Sequence, residues 1–354
     1  MKKNITPASQ IPELTIGLDL SDRSFQFCEL NAAGEIVDEG RLKLDRATLR
    51  KYLAAQPKAR VALETGGQSA WVKQAIEELG HEAVVANARE LQAVTGRSHR
   101  TDHHDARQLA RLARVDRELL NPVQLRDARP QADLFVIRAR ALLVEVRTML
   151  INFARGITKT TGQRLPSSVS HRFAERVREA VPEALRPALL PLLKVLAQVG
   201  EELDGYDENL EALASERYPE TRWLRQAPGV GTLTALTFVL TVNDARRFAH
   251  SREVGPYLGL VPRRRQSGEQ DPQMRISKCG DGYLRKLLVQ CAHVVMGRFG
   301  PDCALRRWAL EHARGGRTAK KRTVVAVARK LAVLLHRLWS REEVFEPFPA
   351  AAAA

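Results

Sequence analysis

The chain has 354 residues, 44% of them hydrophobic, a globular composition long enough for two or three domains. Its 56 Lys and Arg outnumber 41 Asp and Glu, a formal charge of +15 that implies a polyanionic partner, with nucleic acid ahead of an acidic membrane surface. No apolar run reaches the ~18 residues of a spanning helix, residues 1–10 lack the apolar core of a signal peptide, and Cys28, Cys279, Cys291 and Cys303 form no C-x-x-C pair. A cytoplasmic protein without a disulfide framework or a cysteine zinc site is expected, its thiols buried or incidental.

Leu14–Leu20 reads as a short apolar strand with Asp19 inside it. Phe25–Leu30 alternates as a second strand, Asn31-Ala32-Ala33-Gly34 supplies a turn, and Glu35–Leu44 completes a three-strand antiparallel meander. Asp45 is placed to cap a short helix through Leu53. Arg60–Glu64 is a fourth strand ending in an acid, Gln68–Leu79 an amphipathic helix closed by Gly80, His81–Asn87 a fifth strand, and Ala88–Val94 a helix. The next helix opens at Asp102, and the three-residue spacing puts Asp102 and Asp105 on one face, a turn apart. Alone, that pair also fits an acidic helix start meeting the positive end of the dipole.

The order βββ-α-β-α-β-α is that of a ribonuclease H-like (RuvC-like) α/β fold, and the acids fall where that fold brings them together. Asp19 lies in the strand expected to be central, where an unpaired carboxylate is costly to desolvate. Glu64 ends the neighbouring strand, and Asp102 and Asp105 sit on the helix beside them. Four converging carboxylates make a hard-oxygen site suited to Mg²⁺, and two ions about 3.5–4 Å apart could clamp a phosphodiester. His99, His103 and His104 crowd the same helix start and read as solvated or DNA-facing, because such a site does not require imidazole.

From Arg126 to about Tyr218 the pattern is helical. Ala132–Phe153 is a long helix, Gly156–Ser170 a polar linker, and His171–Leu213 a set of helices broken by Pro182, Pro187 and Pro191. Leu203, Tyr206, Leu210 and Leu213 have helical spacing that serves either internal packing or a helical dimerisation arm. Pro228-Gly229-Val230-Gly231 resembles the hairpin of a helix-hairpin-helix module, where Gly229 and Gly231 let backbone N–H groups approach a phosphate, or else a simple tight turn, before a helix over Leu233–Val242. Arg263-Arg264-Arg265-Gln266-Ser267-Gly268 is a strongly electropositive loop, Lys278 follows it, and Gly282–Met296 is a helix with Arg285 and Lys286 outward. Arg314–Arg322 reads as a flexible basic segment offering Arg317, Lys320, Lys321 and Arg322 to phosphates. Val324–Trp339 is a final amphipathic helix, and Ala350–Ala354 is expected to be disordered.

Taken together, Gly17-Leu18-Asp19, Leu63-Glu64-Thr65-Gly66, Thr101-Asp102-His103-His104-Asp105-Ala106, Pro228-Gly229-Val230-Gly231, Gly259-Leu260-Val261-Pro262 and Ser277-Lys278-Cys279-Gly280 followed by Tyr283-Leu284-Arg285 resemble the insertion sequence 110 family of "DEDD" transposases over nearly the whole chain. The resemblance implies a RuvC-like domain over 12–155, a helical connector over 156–218, and a mainly α transposase domain over 219–345 with a helix-hairpin-helix-like motif. It implies a catalytic tetrad of Asp19, Glu64, Asp102 and Asp105 and a nucleophilic serine at Ser267, with Ser277 in reserve. Family members often carry several serines in that loop, whereas Glu269-Gln270-Asp271 follows here. It implies excision and insertion through a circular DNA intermediate, double-stranded DNA at element ends and target as substrate, a guide RNA from the element's own end, and a homo-oligomer, dimer or tetramer. Two other readings remain: a RuvC-like hydrolytic junction nuclease, and a non-catalytic nucleic-acid-binding protein.

Overall fold

A five-stranded sheet organises the N-terminal part of the chain. Its strands are β1 (Leu14–Leu20), β2 (Ser24–Asn31), β3 (Ile36–Lys43), β4 (Arg60–Glu64) and β5 (Glu82–Ala86), in spatial order β3-β2-β1-β4-β5. The first three pair antiparallel, and β4 and β5 continue parallel to β1, as the sequence order implied. The computed structural model describes residues 12–88, 102–264, 272 and 274–349, with Asp102 and His103 by backbone alone. The chain divides into two units, Met1–Ala128 and Arg129–Ala354. The division falls at the start of a long helix, so residue 155, where the motifs end the first domain, lies inside that helix rather than at its edge.

Period-two alternation puts opposite faces of the sheet against different helices. On one face Ile16, Leu18, Phe25, Phe27, Val61 and Leu63 bury against α1 (Arg46–Ala54) and α2 (Ser69–Glu78) through Leu49, Leu53, Val72 and Ile76. The Asp45 carboxylate accepts from Thr48 N at 2.8 Å and starts α1, and Gly80, at φ +83°, follows the end of α2. The other face is covered by α3 (Asp102–Val115), whose Ala106, Leu109, Ala110 and Ala113 pack on Cys28, Leu30, Ala62 and Val84. Past Ala88, the helix expected over Ala88–Val94 lies outside the described residues.

The second unit is helical. Helix α4 runs Ala128–Thr158, longer at both ends than expected, so the segment read as a linker from Gly156 is helical through Thr158. After α5 (Phe173–Val177), α6 runs unbroken from Arg186 to Glu216. Proline was expected to break it, but Pro187 occupies its first turn, where an N–H would be unsatisfied anyway, and Pro191 removes only one further bond. Packing of Leu189, Leu193 and Leu196 on Ile151, Ala154 and Phe173 offsets that loss. Helices α4 and α6 form an antiparallel hairpin: Leu210 and Leu213 meet Leu134 and Ile137 at its other end, which answers their spacing as internal packing. The buried Asp133 accepts from Arg217 at 2.8 Å and from the Tyr218 hydroxyl at 2.8 Å, fixing the exit of α6.

Among the described residues six further helices complete this unit, the first and third of them single turns: α7 (Thr221–Leu224), α8 (Thr232–Val242), α9 (Val254–Tyr257), α10 (Gly282–Met296), α11 (Ala304–His312) and α12 (Arg317–Arg341). Their core joins Phe238, Val239 and Val242 of α8 to Leu284, Leu288 and Val295 of α10 and Val327, Leu331 and Leu335 of α12. The basic segment expected to be flexible, Arg314–Arg322, is instead a 3-10 turn through Gly315 and, from Arg317 on, the first turns of α12, which starts directly after Gly316 at φ +90°. Among the described residues no helix is long and apolar enough to cross a membrane. All four cysteines are free; Cys28, Cys291 and Cys303 are buried and Cys279 is exposed.

Candidate active site and nucleic-acid interface

The acid cluster is built from the register of two strands and the close approach of one helix. Gly17 pairs with Ala62 and Leu18 with Leu63, so the next residues along the parallel pair, Asp19 and Glu64, stand side by side at the carboxyl ends of β1 and β4. That is where open α/β sheets present ligand sites. Asp19 shares a face with Gly17, and Glu64 with Ala62, because side chains alternate. A cavity of about 340 Å³ there is lined by Asp19, Ser21, Asp22, Glu64, Thr65 and Gln68.

Helix α3 crosses the same face. A Cβ on Gly17 would lie 2.0 Å from the Ala106 carbonyl oxygen and 2.6 Å from Ala110 N, so only glycine permits this approach. The helix runs antiparallel to β1. Its carboxyl end is tied to the end of the sheet where β1 and β4 begin and β2 ends: Arg60 donates to the Ala113 carbonyl at 2.9 Å and Arg114 to the Asn31 carbonyl at 3.3 Å. Its middle is held by Arg107, which grips Glu39 of β3 at 2.7 and 2.6 Å. With Ala106 fixed over Gly17, the turn carrying Asp102 and Asp105 extends toward the end of the sheet that bears Asp19 and Glu64. Asp105 is half-buried and His104 exposed; of Asp102 and His103 only the backbone is described, and His99 lies outside the described residues. Among the described residues no three Asp, Glu, His or Cys side chains close into a metal-holding group. Cys28, opposite Gly17 in β2, stays a protonated thiol, because burial and then the Glu39 charge push its pKa up to about 11.

Two segments of the second unit on either side of Ser267 in the sequence pair as the base of a hairpin. Pro262 and Ile276 form an antiparallel bridge, Arg263 N donates to the Arg275 carbonyl at 2.9 Å, Ser277 N to Val261 O at 2.8 Å, and Lys278 N to Gly259 O at 3.1 Å. The base is tight: at Gly259, φ +64°, a Cβ would sit 2.3 Å from Cys279 N, and at Gly280, φ +69°, 2.2 Å from the Tyr257 carbonyl oxygen. Arg285, expected to point outward, instead clamps this base, donating to the carbonyls of Leu258, at 3.0 Å, and Cys279. Helix α10 that carries it is capped by Asp281, which accepts from Leu284 N at 2.8 Å and pairs with Arg138 of α4. Ser277 belongs to the base, its Oγ accepting from Cys279 N at 3.4 Å and its carbonyl from Arg263 at 3.4 Å. Arg263 and Arg264 are exposed; Arg265 and Ser267 lie outside the described residues.

The basic positions separate into two groups. Lys278, Lys321 and Arg322 line one groove of about 560 Å³ between the hairpin base and α12, whereas Arg317 and Lys320 are exposed beside it. Gly229 and Gly231 are exposed in the turn before α8, Gly229 at φ +75° and Gly231 as the helix N-cap residue. A Cβ on Gly229 would press on Cys291 O at 3.1 Å and Val294 Cβ at 3.1 Å, so packing against α10 is one reason for glycine there. Sequence reading missed Arg60, Arg107, Arg138 and Arg285; their partners lie far along the chain, and no local pattern marks them.

An acid-bearing ribonuclease H-like sheet followed by a basic helical unit defines a class of enzymes acting on polynucleotides. The family described as "Transposase IS116/IS110/IS902 family" matches residues 221–308, and a DEDD family of the IS110 type, described as "Transposase", matches residues 16–161. The chain is 30% identical over 342 residues to a "Probable family 20 transposase" of Pseudomonas aeruginosa, covering 94% of this chain and 98% of the relative. It is 27% identical to the "Transposase for insertion sequence element IS1111A" of Coxiella burnetii, covering 93% and 90%. A shorter likeness, 28% over 124 residues, covering 35% of this chain and 38% of the relative, joins it to the "Pilin gene-inverting protein" of Moraxella lacunata. The chain belongs to the IS116/IS110/IS902 family of transposases, enzymes whose substrate is DNA.

Proposed function

We propose that this transposase excises and inserts an insertion sequence through a circular intermediate, using a phosphoserine link to DNA, an acid-held metal site and a guide RNA. The observation that carries the reading is the pairing of Asp19 and Glu64 in one cavity, with the acidic end of α3 directed toward it. Carboxylate oxygens are the hard donors that Mg²⁺ prefers, so Asp19, Glu64, Asp102 and Asp105 would hold one or two ions. When bound, such ions supply charge that stabilises the phosphorane-like transition state.

In the chain's own steps, the Ser267 oxygen attacks phosphorus and loses its proton, and the bond from phosphorus to one sugar oxygen breaks, that oxygen leaving as a hydroxyl. Rejoining reverses this at a new sugar hydroxyl, releasing Ser267. Arg263, Arg264 and Arg265 hold the phosphate by charge and form no bond to it. Ser277 is a poorer nucleophile than Ser267 because the hairpin base engages its N–H, Oγ and carbonyl. The inverting activity in the name of the Moraxella relative supports strand exchange over hydrolysis.

The homo-oligomer is proposed on α4. Phe135, Ala139, Leu142, Val146, Met149 and Phe153 repeat at alternating four- and three-residue steps, the a/d spacing of a coiled coil, on the face opposite the one packed on α6. The four large members are 52–61% exposed. A second copy of the same helix satisfies this seam, since a two-fold interface needs only one self-complementary patch.

The test is incubation of element-end DNA, RNA from the element's end and Mg²⁺ with the chain, followed by a denaturing gel. Wild type gives a covalent adduct and rejoined product. Ser267→Ala gives neither, and Asp19→Asn binds DNA but cuts at least ~100-fold more slowly, the scale of a lost transition-state stabiliser. Near-normal cutting by Ser267→Ala, with no adduct from wild type, would establish the hydrolytic junction nuclease instead. Equal activity without RNA removes the guide.

A further inference from the structure

The groove between the hairpin base and α12 has a composition that a duplex surface does not require. From α12 it takes Thr318, Lys321, Arg322, Val325, Ala326 and Arg329, at i, i+3, i+4, i+7, i+8 and i+11, a single helical face. From the hairpin it takes Leu260, Pro262, Met274, Arg275, Ile276 and Lys278. Five cations therefore surround it, no carboxylate lines it, and among the described residues none of the five lies in a salt bridge. Its remaining lining is apolar apart from Thr318.

We propose that this groove receives an unpaired nucleotide segment, phosphates on the cations and a base against Leu260, Ile276, Val325 and Met274. The proposal rests on the reading of the chain as a DNA transposase and names the form of nucleic acid this part of it takes. Uncompensated cations alone would suit any phosphate backbone. The apolar lining decides, because it lies inside a concavity. In a duplex the base faces are stacked out of reach, and a backbone approaching the groove meets its charged rim first. An unpaired base exposes a face that gains by leaving water, and cationic grooves with apolar base platforms are the common solution for single strands. The groove takes Leu260 and Pro262 from one arm of the hairpin and Met274, Arg275, Ile276 and Lys278 from the other, the two segments that flank Ser267 in the sequence. Strand exchange necessarily produces such segments when one strand is released from its partner.

Fluorescence anisotropy of the full chain tests this with four probes of equal length: oligo(dT), oligo(rU), an abasic deoxyribose-phosphate strand and a DNA duplex. Val325→Asn combined with Met274→Ser makes the lining polar without removing charge. The expected result is about a tenfold loss of affinity for oligo(dT) or oligo(rU), the scale of one lost base contact, with abasic and duplex affinities unchanged. Whichever of dT and rU loses more identifies DNA or RNA as the occupant, and either supports the groove. Lys321→Gln should weaken all four probes, because it removes a phosphate contact. Unchanged duplex binding shows that the Val325→Asn, Met274→Ser variant is folded, and a wild-type circular dichroism spectrum and unfolding temperature show it for Lys321→Gln. Equal loss on oligo(dT), abasic strand and duplex, or no loss on any, overturns the proposal. Failure of the wild-type chain to bind duplex would count against the transposase reading itself.

Discussion

Gly17 is the residue on which the acid cluster's geometry depends. Its missing side chain lets the backbone of α3 rest on β1, and what a Cβ would strike is main chain, which cannot swing aside. Gly17→Ala must therefore push α3 off the sheet and carry Asp102 and Asp105 away from Asp19 and Glu64. Overpacking of this kind costs about 1–3 kcal/mol when side chains can yield, so a loss at the top of that range is expected for a backbone clash. Thermal unfolding should show the lowered stability, and cleavage at a temperature where the variant is still folded should fall at least ~10-fold, as for a displacement of about an ångström. Ala110→Gly, which deletes a methyl at the same crossing without a clash, should lose stability but keep more activity. Full cleavage by folded Gly17→Ala would show that α3 contributes no ligand or positioning group.

At the scale of elements, Arg285 joins the body of α10 to the base of the hairpin at Leu258 and Cys279. Two carbonyls of the hairpin base receive its guanidinium, and hydrogen bonds to charged groups contribute about 1.5–3 kcal/mol each. Arg285→Ala should leave the helical core intact but speed hydrogen exchange at Arg263, Ser277 and Lys278, whose N–H groups form the hairpin, by at least ~10-fold. Adduct formation should slow in parallel while duplex affinity holds. Unchanged exchange at those amides would remove the clamp from the account. The strands, the helices on them and the order of the acids were legible because their signals are local: period-two runs, the Asp45 cap, Gly80 after α2. The single span of α6 was not, because Pro191 is outweighed by Leu189, Leu193 and Leu196 meeting Ile151, Ala154 and Phe173 of earlier helices. Nor was the start of α12, where Lys320, Lys321 and Arg322 read as a solvated charge run yet are good helix formers, anchored by the buried Val324 and Val327. Arg285 itself looked like one more surface cation, since its partners are backbone carbonyls that no sequence pattern displays.

At the scale of the whole molecule, the +15 charge suits phosphates and resists self-association, so the proposed second copy would have to be held by something other than electrostatics. The seam on α4 provides apolar area for this. Phe135, Leu142, Met149 and Phe153 remain 60%, 60%, 61% and 52% exposed, although the helix already buries Leu134, Ile137, Ile151 and Ala154 on its other side. A helix with one buried and one exposed apolar stripe is incompletely solvated as a monomer. Leu142→Lys with Met149→Lys places like charges at the centre of the seam in both copies, and lysine is tolerated at an exposed helical site. Sedimentation equilibrium should show wild type as a dimer or tetramer and the double variant at lower mass. Its unfolding temperature at low concentration should be nearly unchanged, because exposed substitutions usually shift stability by about 0.5 kcal/mol or less. Leu142→Ile with Met149→Leu should preserve assembly, since both remain compatible with a seam. If the lysine variant keeps the wild-type mass, the oligomer uses another surface. If wild type itself is a monomer up to the concentrations at which it forms adduct, the seam has another occupant.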